Sequence, residues 1–292
     1  MLPETEKRYR SLAVHFYEKH MQGQPVTESR ILSGLRNLAP RLGTNYFRRL
    51  KNAIAFDQRE RGYPETARNV LALRNPVTQP GSTIARKPKR PKAKSFSDDD
   101  FAALALHLTD HEYYEEFAAV TLVRFTGARP AELKNIRLLD GKLFIRGVKK
   151  SHNGVRGADR ILQIEDASTL LIVTNCLQFL RSSTRSMDAM RNRIRKEAGK
   201  LWPRRKVLPS LYSMRHQVGA NLKASNLSDR EIAYIMGHQS TNSVSCYGNK
   251  RQGDPSAIRV RPATEADLSK VRCMVKPSRQ RWIEQVTYRA RP

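Results

Sequence analysis

Apolar residues along this chain recur at helical rather than strand spacing over most of its length. Near the N-terminus Leu12, Phe16 and His20 repeat at i, i+4 and i+8, and Ile31, Leu35 and Leu38 make a second stripe. Phe47, Leu50, Ile54 and Ala55 make a third, with Thr44 placed to cap that helix. Ser97 predicts another helix start: Asp98, Asp99 and Asp100 follow it at the positive end, and Phe101, Leu104, Ala105 and Leu108 share one face. A further amphipathic helix carries Tyr114, Phe117, Ala118, Leu122 and Phe125 and stops near Gly127. Only at Lys142–Val148 and Arg160–Ile164 does the pattern become strand-like, which predicts a hairpin about the polar, glycine-containing segment Ser151–Gly157. Helices resume at Leu170–Leu180, Met187–Leu201, Met214–Lys223 and Asp229–Met236, the last with Ser228 and Glu231 as a capping box. The expected fold class is α+β, mostly α with a small antiparallel β-sheet.

Charge divides this pattern into parts. Arg86–Lys94 (RKPKRPKAK) holds six basic residues and two prolines with no acidic residue, a composition that cannot pack a core and reads as an extended tether. It predicts a basic helical domain at residues 1–85, a linker at 86–95, a second domain at 96–255 and a basic tail at 256–292. Over the 292 residues there are 54 Lys+Arg against 27 Asp+Glu, a formal charge of +27. A surface so basic favours polyanions, nucleic acid first among them. An apolar fraction of 39% is enough to fold, so a wholly disordered basic chain is excluded. No apolar run approaches the ~20 residues of a membrane span, and no apolar stretch of the secretory type follows Met1–Arg10. Cys176, Cys246 and Cys273 lie far apart, so a disulfide framework is not expected and a reducing cytoplasm fits. His107 and His111 have the i, i+4 spacing of metal ligands, but no third ligand accompanies them, and no metal or cofactor is expected.

Three short segments carry candidate chemistry. In Thr126–Leu133 (TGARPAEL) Gly127 ends one helix and Pro130 suits the first position of the next, which leaves Arg129 at the junction with its planar fork free to grip an anion. Glu132, three residues on, is placed to hold that guanidinium. In Tyr212–Gln217 (YSMRHQ) Ser213 reads as an N-cap, putting Arg215 in the first turn, where backbone N–H groups also attract a phosphate. In Ile235–Tyr247 (IMGHQSTNSVSCY) Gly237 closes a helix, His238 sits on the turn and Tyr247 follows nine residues later.

In this order and spacing, FTGARPAEL, SMRHQ and MGHQS…CY resemble the catalytic pattern of the tyrosine recombinases, the phage-integrase family, over Ser97–Asn249. The resemblance implies a helical core-binding domain followed by a tyrosine-recombinase-type catalytic domain, clamped on double-stranded DNA as a homo-tetramer on paired sites. It implies that Tyr247 attacks a scissile phosphate to give a 3′-phosphotyrosine, with Arg129, Arg215 and His238 holding the phosphate oxygens and neither ATP nor metal needed. The general acid would come from the hairpin, where Lys150 is preferred over Lys149 because it directly precedes Ser151. It also implies a DNA-associated bacterial protein without membrane partners. One position departs from the family, which usually has His, sometimes Lys, three residues before the second arginine; here it is Tyr212, a hydrogen-bond donor but a poor proton shuttle near neutrality. A catalytically impaired DNA-binding derivative is therefore the alternative reading. After Tyr247, Thr264 and Asp267 are placed to cap a helix bearing Leu268, Val271 and Val275; in this family the segment after the nucleophile commonly docks on a neighbouring protomer, and the alternative here is a tail that folds back in cis or frays.

Overall fold

The computed structural model describes residues 3–89, 91–93, 95–148 and 158–273. The chain divides into two compact units, Met1–Arg90 and Pro91–Pro292.

The first unit is four helices: α1 Pro3–Met21, α2 Glu28–Leu38, α3 Thr44–Glu60 and α4 Pro64–Ala72. In α1 the buried stripe is Ala13, Phe16, Tyr17 and Met21, one position off the expected one, with His20 exposed. The shift follows from Tyr17, whose hydroxyl is taken inward to donate to Asp57 (2.9 Å) and accept from Gln58 (2.9 Å). Thr44 does not cap α3. Gly43 holds the extended cap position, so Thr44 is already the first helical residue. At α2 the side chain of Thr27 accepts from Arg30 N, and Pro64 opens α4 at the position where a missing N–H costs nothing.

The second unit is built around α6. The helices α5 (Asp98–Asp110), α6 (Tyr114–Thr126), α7 (Ala167–Ser182), α8 (Met187–Leu201), α9 (Leu211–Ala224) and α10 (Asp229–Ile235) enclose one core. Rather than amphipathic, α6 is buried nearly all round, from Ala118 through Val123. Its charged ends are paired, Glu116 with Arg185 (3.1 Å) and Arg124 with Asp98. Ser97 and the Ser228–Glu231 box cap α5 and α10 as expected. Ser213, however, is not the cap of α9. Ser210 takes that place, with Ser213 bonding back to it, so Arg215 lies one turn deeper than its sequence position suggests.

The sheet has four antiparallel strands in the order β1 (Ile136–Leu139), β2 (Lys142–Ile145), β3 (Arg160–Ile164), β4 (Val260–Pro262). The β2–β3 pair registers Phe144 opposite Ile161 and Ile145 opposite Arg160. Strand β1 was not expected, although Asp140-Gly141, both at positive φ, is a strong tight-turn signal and joins it to β2. Strand β4 ends in a proline, tolerable because it lies at the sheet edge. It draws residues after 256 into the sheet in cis, with Val260, Ala263 and Val271 buried. Asp267 caps only a short 3-10 turn, Leu268–Lys270, instead of a helix, and Val275 lies outside the described residues. No helix among the described residues is long and apolar enough to cross a membrane.

Truncating Leu122, fully buried on α6, to alanine should cost about 2–5 kcal/mol of stability in chemical denaturation. The same change at the exposed Leu171 of α7 should stay within about 0.5 kcal/mol.

Candidate active site

Gly127 ends α6 in the left-handed conformation (φ 62°), which turns the chain so that Arg129 precedes a 3-10 turn opened by Pro130. Glu132 on that turn is fully buried and accepts from the backbone N of Arg129 (2.9 Å) and from its Nη1 (2.7 Å). The same carboxylate accepts from Nη2 of Arg160 on β3 (2.8 Å), a guanidinium that is itself completely buried. One buried carboxylate thus bridges two guanidiniums. Burial alone would push the Glu132 carboxyl up, but Arg160 and then Arg129 hold it down to about 2.

Around this pair the turn after α10 closes the site. Gly237 (φ 63°) accepts from Arg129 Nη2 through its carbonyl (3.1 Å). A side chain there would strike Arg160, since a Cβ would lie 2.6 Å from its Nη1, so the glycine serves both the backbone turn and the approach of the arginines. Arg215, 0% exposed on α9, donates to the carbonyls of Gly127 and Met236 (2.6 Å for the latter) and to Nε2 of His238 (3.2 Å). It therefore ties the end of α6 to the end of α10.

Tyr247 lies over this cluster. Its ring centroid is 4.9 Å from the Arg215 guanidinium carbon and 4.9 Å from the His238 ring, with the His216 ring 5.0 Å away. Gly219 makes room, because a Cβ on it would come within 2.8 Å of Tyr247 Cβ.

The electrostatics are one-sided. Three arginines face one carboxylate. Burial, then the neighbouring Arg129, pulls Arg215 down to about 10, so it stays charged at neutrality. Burial, then Arg215, Arg129 and Arg160, brings His238 down to about 3, so its ring is neutral. With Nε2 accepting from Arg215, the proton of His238 belongs on Nδ1. That Nδ1, Arg215 Nε, and Nε and Nη1 of Arg160 are buried without a protein partner among the described residues. Unpaired buried donors cost roughly 1–3 kcal/mol each, and four gathered about one turn suit an anion with several oxygens.

Of the residues named from the sequence, Arg129, Glu132, Arg215, His238 and Tyr247 come together. Tyr212 does not. It stands on the first turn of α9 with 39% of its surface exposed and no hydrogen bond to the cluster. Lys149 and Lys150 lie outside the described residues. His107 and His111 are occupied elsewhere, with Glu197 (3.0 Å) and the His107 carbonyl (2.8 Å) as partners. Arg160, His216 and Gly219 were missed. Arg160 reads as an ordinary strand start, and only its inward register in β3 reveals it.

No family model matches the chain, and no characterised protein matches it in sequence. Solved structures do match. A lambda integrase dimer bound to a COC′ core site aligns with a TM-score of 0.56 at 17% identity, covering 86% of this chain and 77% of that one. Lambda integrase residues 75–356 bound to DNA gives 0.55 at 15% identity, covering 82% and 86%. The fold is that of the tyrosine recombinases. A lambda integrase tetramer bound to a Holliday junction gives 0.54 at 14% identity over 86% of this chain and 78% of that one. Within this recombinase fold, the five clustered residues come from four places: Arg129 and Glu132 from the turn after α6, Arg215 from α9, His238 from the turn after α10, and Tyr247 from the segment beyond it.

Acid titration should expose the buried carboxylate. A group whose pKa is depressed on folding stabilises the native state above its ordinary value, and that contribution is lost as pH falls through the folded one. Stability should therefore decline between about pH 4.5 and 2 as Glu132 is protonated. The Glu132→Gln protein should be less stable at pH 7 and show a flatter acid limb in denaturation followed against pH.

Proposed function

We propose that this protein is a site-specific DNA recombinase that cuts and rejoins duplex DNA through a 3′-phosphotyrosine. The observation that carries this reading is the seating of Tyr247 over Arg215, beside His238 and above the Glu132-bridged arginines. In the proposed step the Tyr247 phenolate oxygen attacks the scissile phosphorus and the bond to the 5′-oxygen breaks. Negative charge grows on the non-bridging oxygens, where fixed donors stabilise it most. Arg129 and Arg215 supply those donors, with Nδ1–H of His238 available for a further bond. The departing 5′-oxygen takes a proton from Lys150. A 5′-hydroxyl on a second strand then attacks the phosphotyrosine and restores Tyr247, so the bond energy is kept. The assembly we assign is a tetramer on paired sites, with the N-terminal helices and the basic linker following phosphates.

The exposed Tyr212, in the place of a histidine or lysine, favours one competing reading, a DNA-binding accessory protein with impaired chemistry.

The test uses a pool of random-sequence duplexes carrying single nicks, which trap a covalent intermediate by losing the 5′-fragment. The wild-type chain should give adducts that survive denaturing detergent, sharing a recoverable sequence, and Tyr247→Phe should give none. Arg129→Ala and Arg215→Ala should lower adduct formation at least ~100-fold while leaving most of the binding. No adduct from the wild type anywhere in the pool would leave the accessory-protein reading. Binding of the Tyr247→Phe chain to duplex should weaken linearly in log–log with salt, as counterion release requires, and a flat dependence would remove DNA as the partner.

A further inference from the structure

Tyr247 is carried on Tyr247–Asp254, a segment with little apolar burial of its own. Asn249, Lys250, Arg251, Gln252 and Asp254 are all exposed, and its regular structure is one 3-10 turn, Lys250–Gln252. What fixes it is one face of α9. Lys223 Nζ donates to the carbonyls of Tyr247 and Gly248 (3.0 Å for the latter). Asn221 Oδ1 accepts from Asp254 N (3.0 Å), and Gln217 Nε2 donates to the Gln252 carbonyl (2.6 Å). Gly248 and Gly253 lie against the α9 backbone, where a Cβ on Gly253 would fall 2.1 Å from the Ala220 carbonyl oxygen. Residues 217, 220, 221 and 224 share a face at helical spacing, so these contacts form a single seam.

Gln217 does more than bind the segment. It is 6% exposed, and its amide is filled in three directions: Nε2 also reaches Asn221 Oδ1 (2.9 Å), while Oε1 accepts from the backbone N of Phe96 (3.2 Å). Phe96 is fully buried and lies two residues after the basic stretch Arg86–Lys94. Lys92, just before Phe96, is close enough to His216 to add to the lowering of its basicity, after burial and Arg215, and the His216 ring lies 5.0 Å from that of Tyr247.

We propose that Gln217 is a positioning residue for Tyr247, holding the nucleophile-bearing segment on α9 and coupling it to the end of the basic linker. The proposal rests on the reading of Tyr247 as the nucleophile. Because one amide serves both neighbours, a shift of the chain at Phe96 loosens the bond to Gln252, and a linker fixed along a phosphate backbone steadies it. Tyr247 is then best seated when the linker is engaged.

Hydrogen–deuterium exchange on the full chain tests the seam without any target site. Gln217→Met, which keeps the volume and removes all three bonds, should speed exchange of residues 248–254 about tenfold, the worth of one to two hydrogen bonds. Exchange in α6 should be unchanged. Using the duplex recovered from the random pool, its adduct yield should fall about tenfold, in line with that loss, with non-covalent binding unchanged. A second arm needs no change at Gln217, so it stands even if that variant fails to fold. A saturating random-sequence 40-bp duplex should slow exchange in 248–254 of the wild type, and that protection should shrink in K87S/K89S/K92S. Unchanged exchange in Gln217→Met, or undiminished protection in the linker variant, would overturn the proposal. Absence of any wild-type adduct would instead strike the nucleophile reading, and the exchange arms would still decide the seam.

Discussion

The site depends on one carboxylate. Glu132 is buried between Arg129 and Arg160, and without it three guanidiniums would be packed together in the interior with no compensating charge. Desolvating a charge is expensive, and a buried ion is tolerated only when partners satisfy it from several sides. Glu132 does this for two arginines at once while also capping the turn that places Arg129. The arrangement leaves a net positive charge that is fixed in direction before anything binds, because the arginine heads have no solvent in which to reorient. Hydrogen bonds from Arg129 and Arg215 to the carbonyls of Gly127, Met236 and Gly237 carry that rigidity to the ends of α6 and α10.

Most of the helical frame was legible because burial in a helix leaves a 3.6-residue signature and the caps are written in serine, glutamate and glycine. The cap positions held at Ser97, Ser228, Gly127 and Gly237 and failed at Thr44 and Ser213. Both failures have one cause: an earlier residue, Gly43 one before Thr44 or Ser210 three before Ser213, adopts the extended cap geometry first, so the candidate falls inside the helix. The sheet was half legible. A four-residue strand leaves room for only two inward positions, and β4, three residues ending in proline, offers almost no pattern at all.

The candidate site was legible where a residue's local setting matched its role, as for Arg129 between a helix-ending glycine and a helix-opening proline. It was illegible where placement is purely tertiary. Arg160 begins a strand and points inward because Ile145 is its cross-strand partner; nothing nearby in sequence says that the inward pocket holds a carboxylate. His216 likewise owes its position beside Tyr247 to the way the segment Tyr247–Asp254 lies on α9.

Strand β4 has a consequence for how far Tyr247 can travel. The chain that carries it is pinned on one side by the buried Val244 and on the other by Val260 in the sheet. Tyr247 therefore rides a closed loop, not a free end, and anything covalently attached to it is confined to the small volume that loop can sweep. In the proposed reaction, tethering of that kind would raise the local concentration of a bound strand end at the cluster and hold it there until a partner strand arrives.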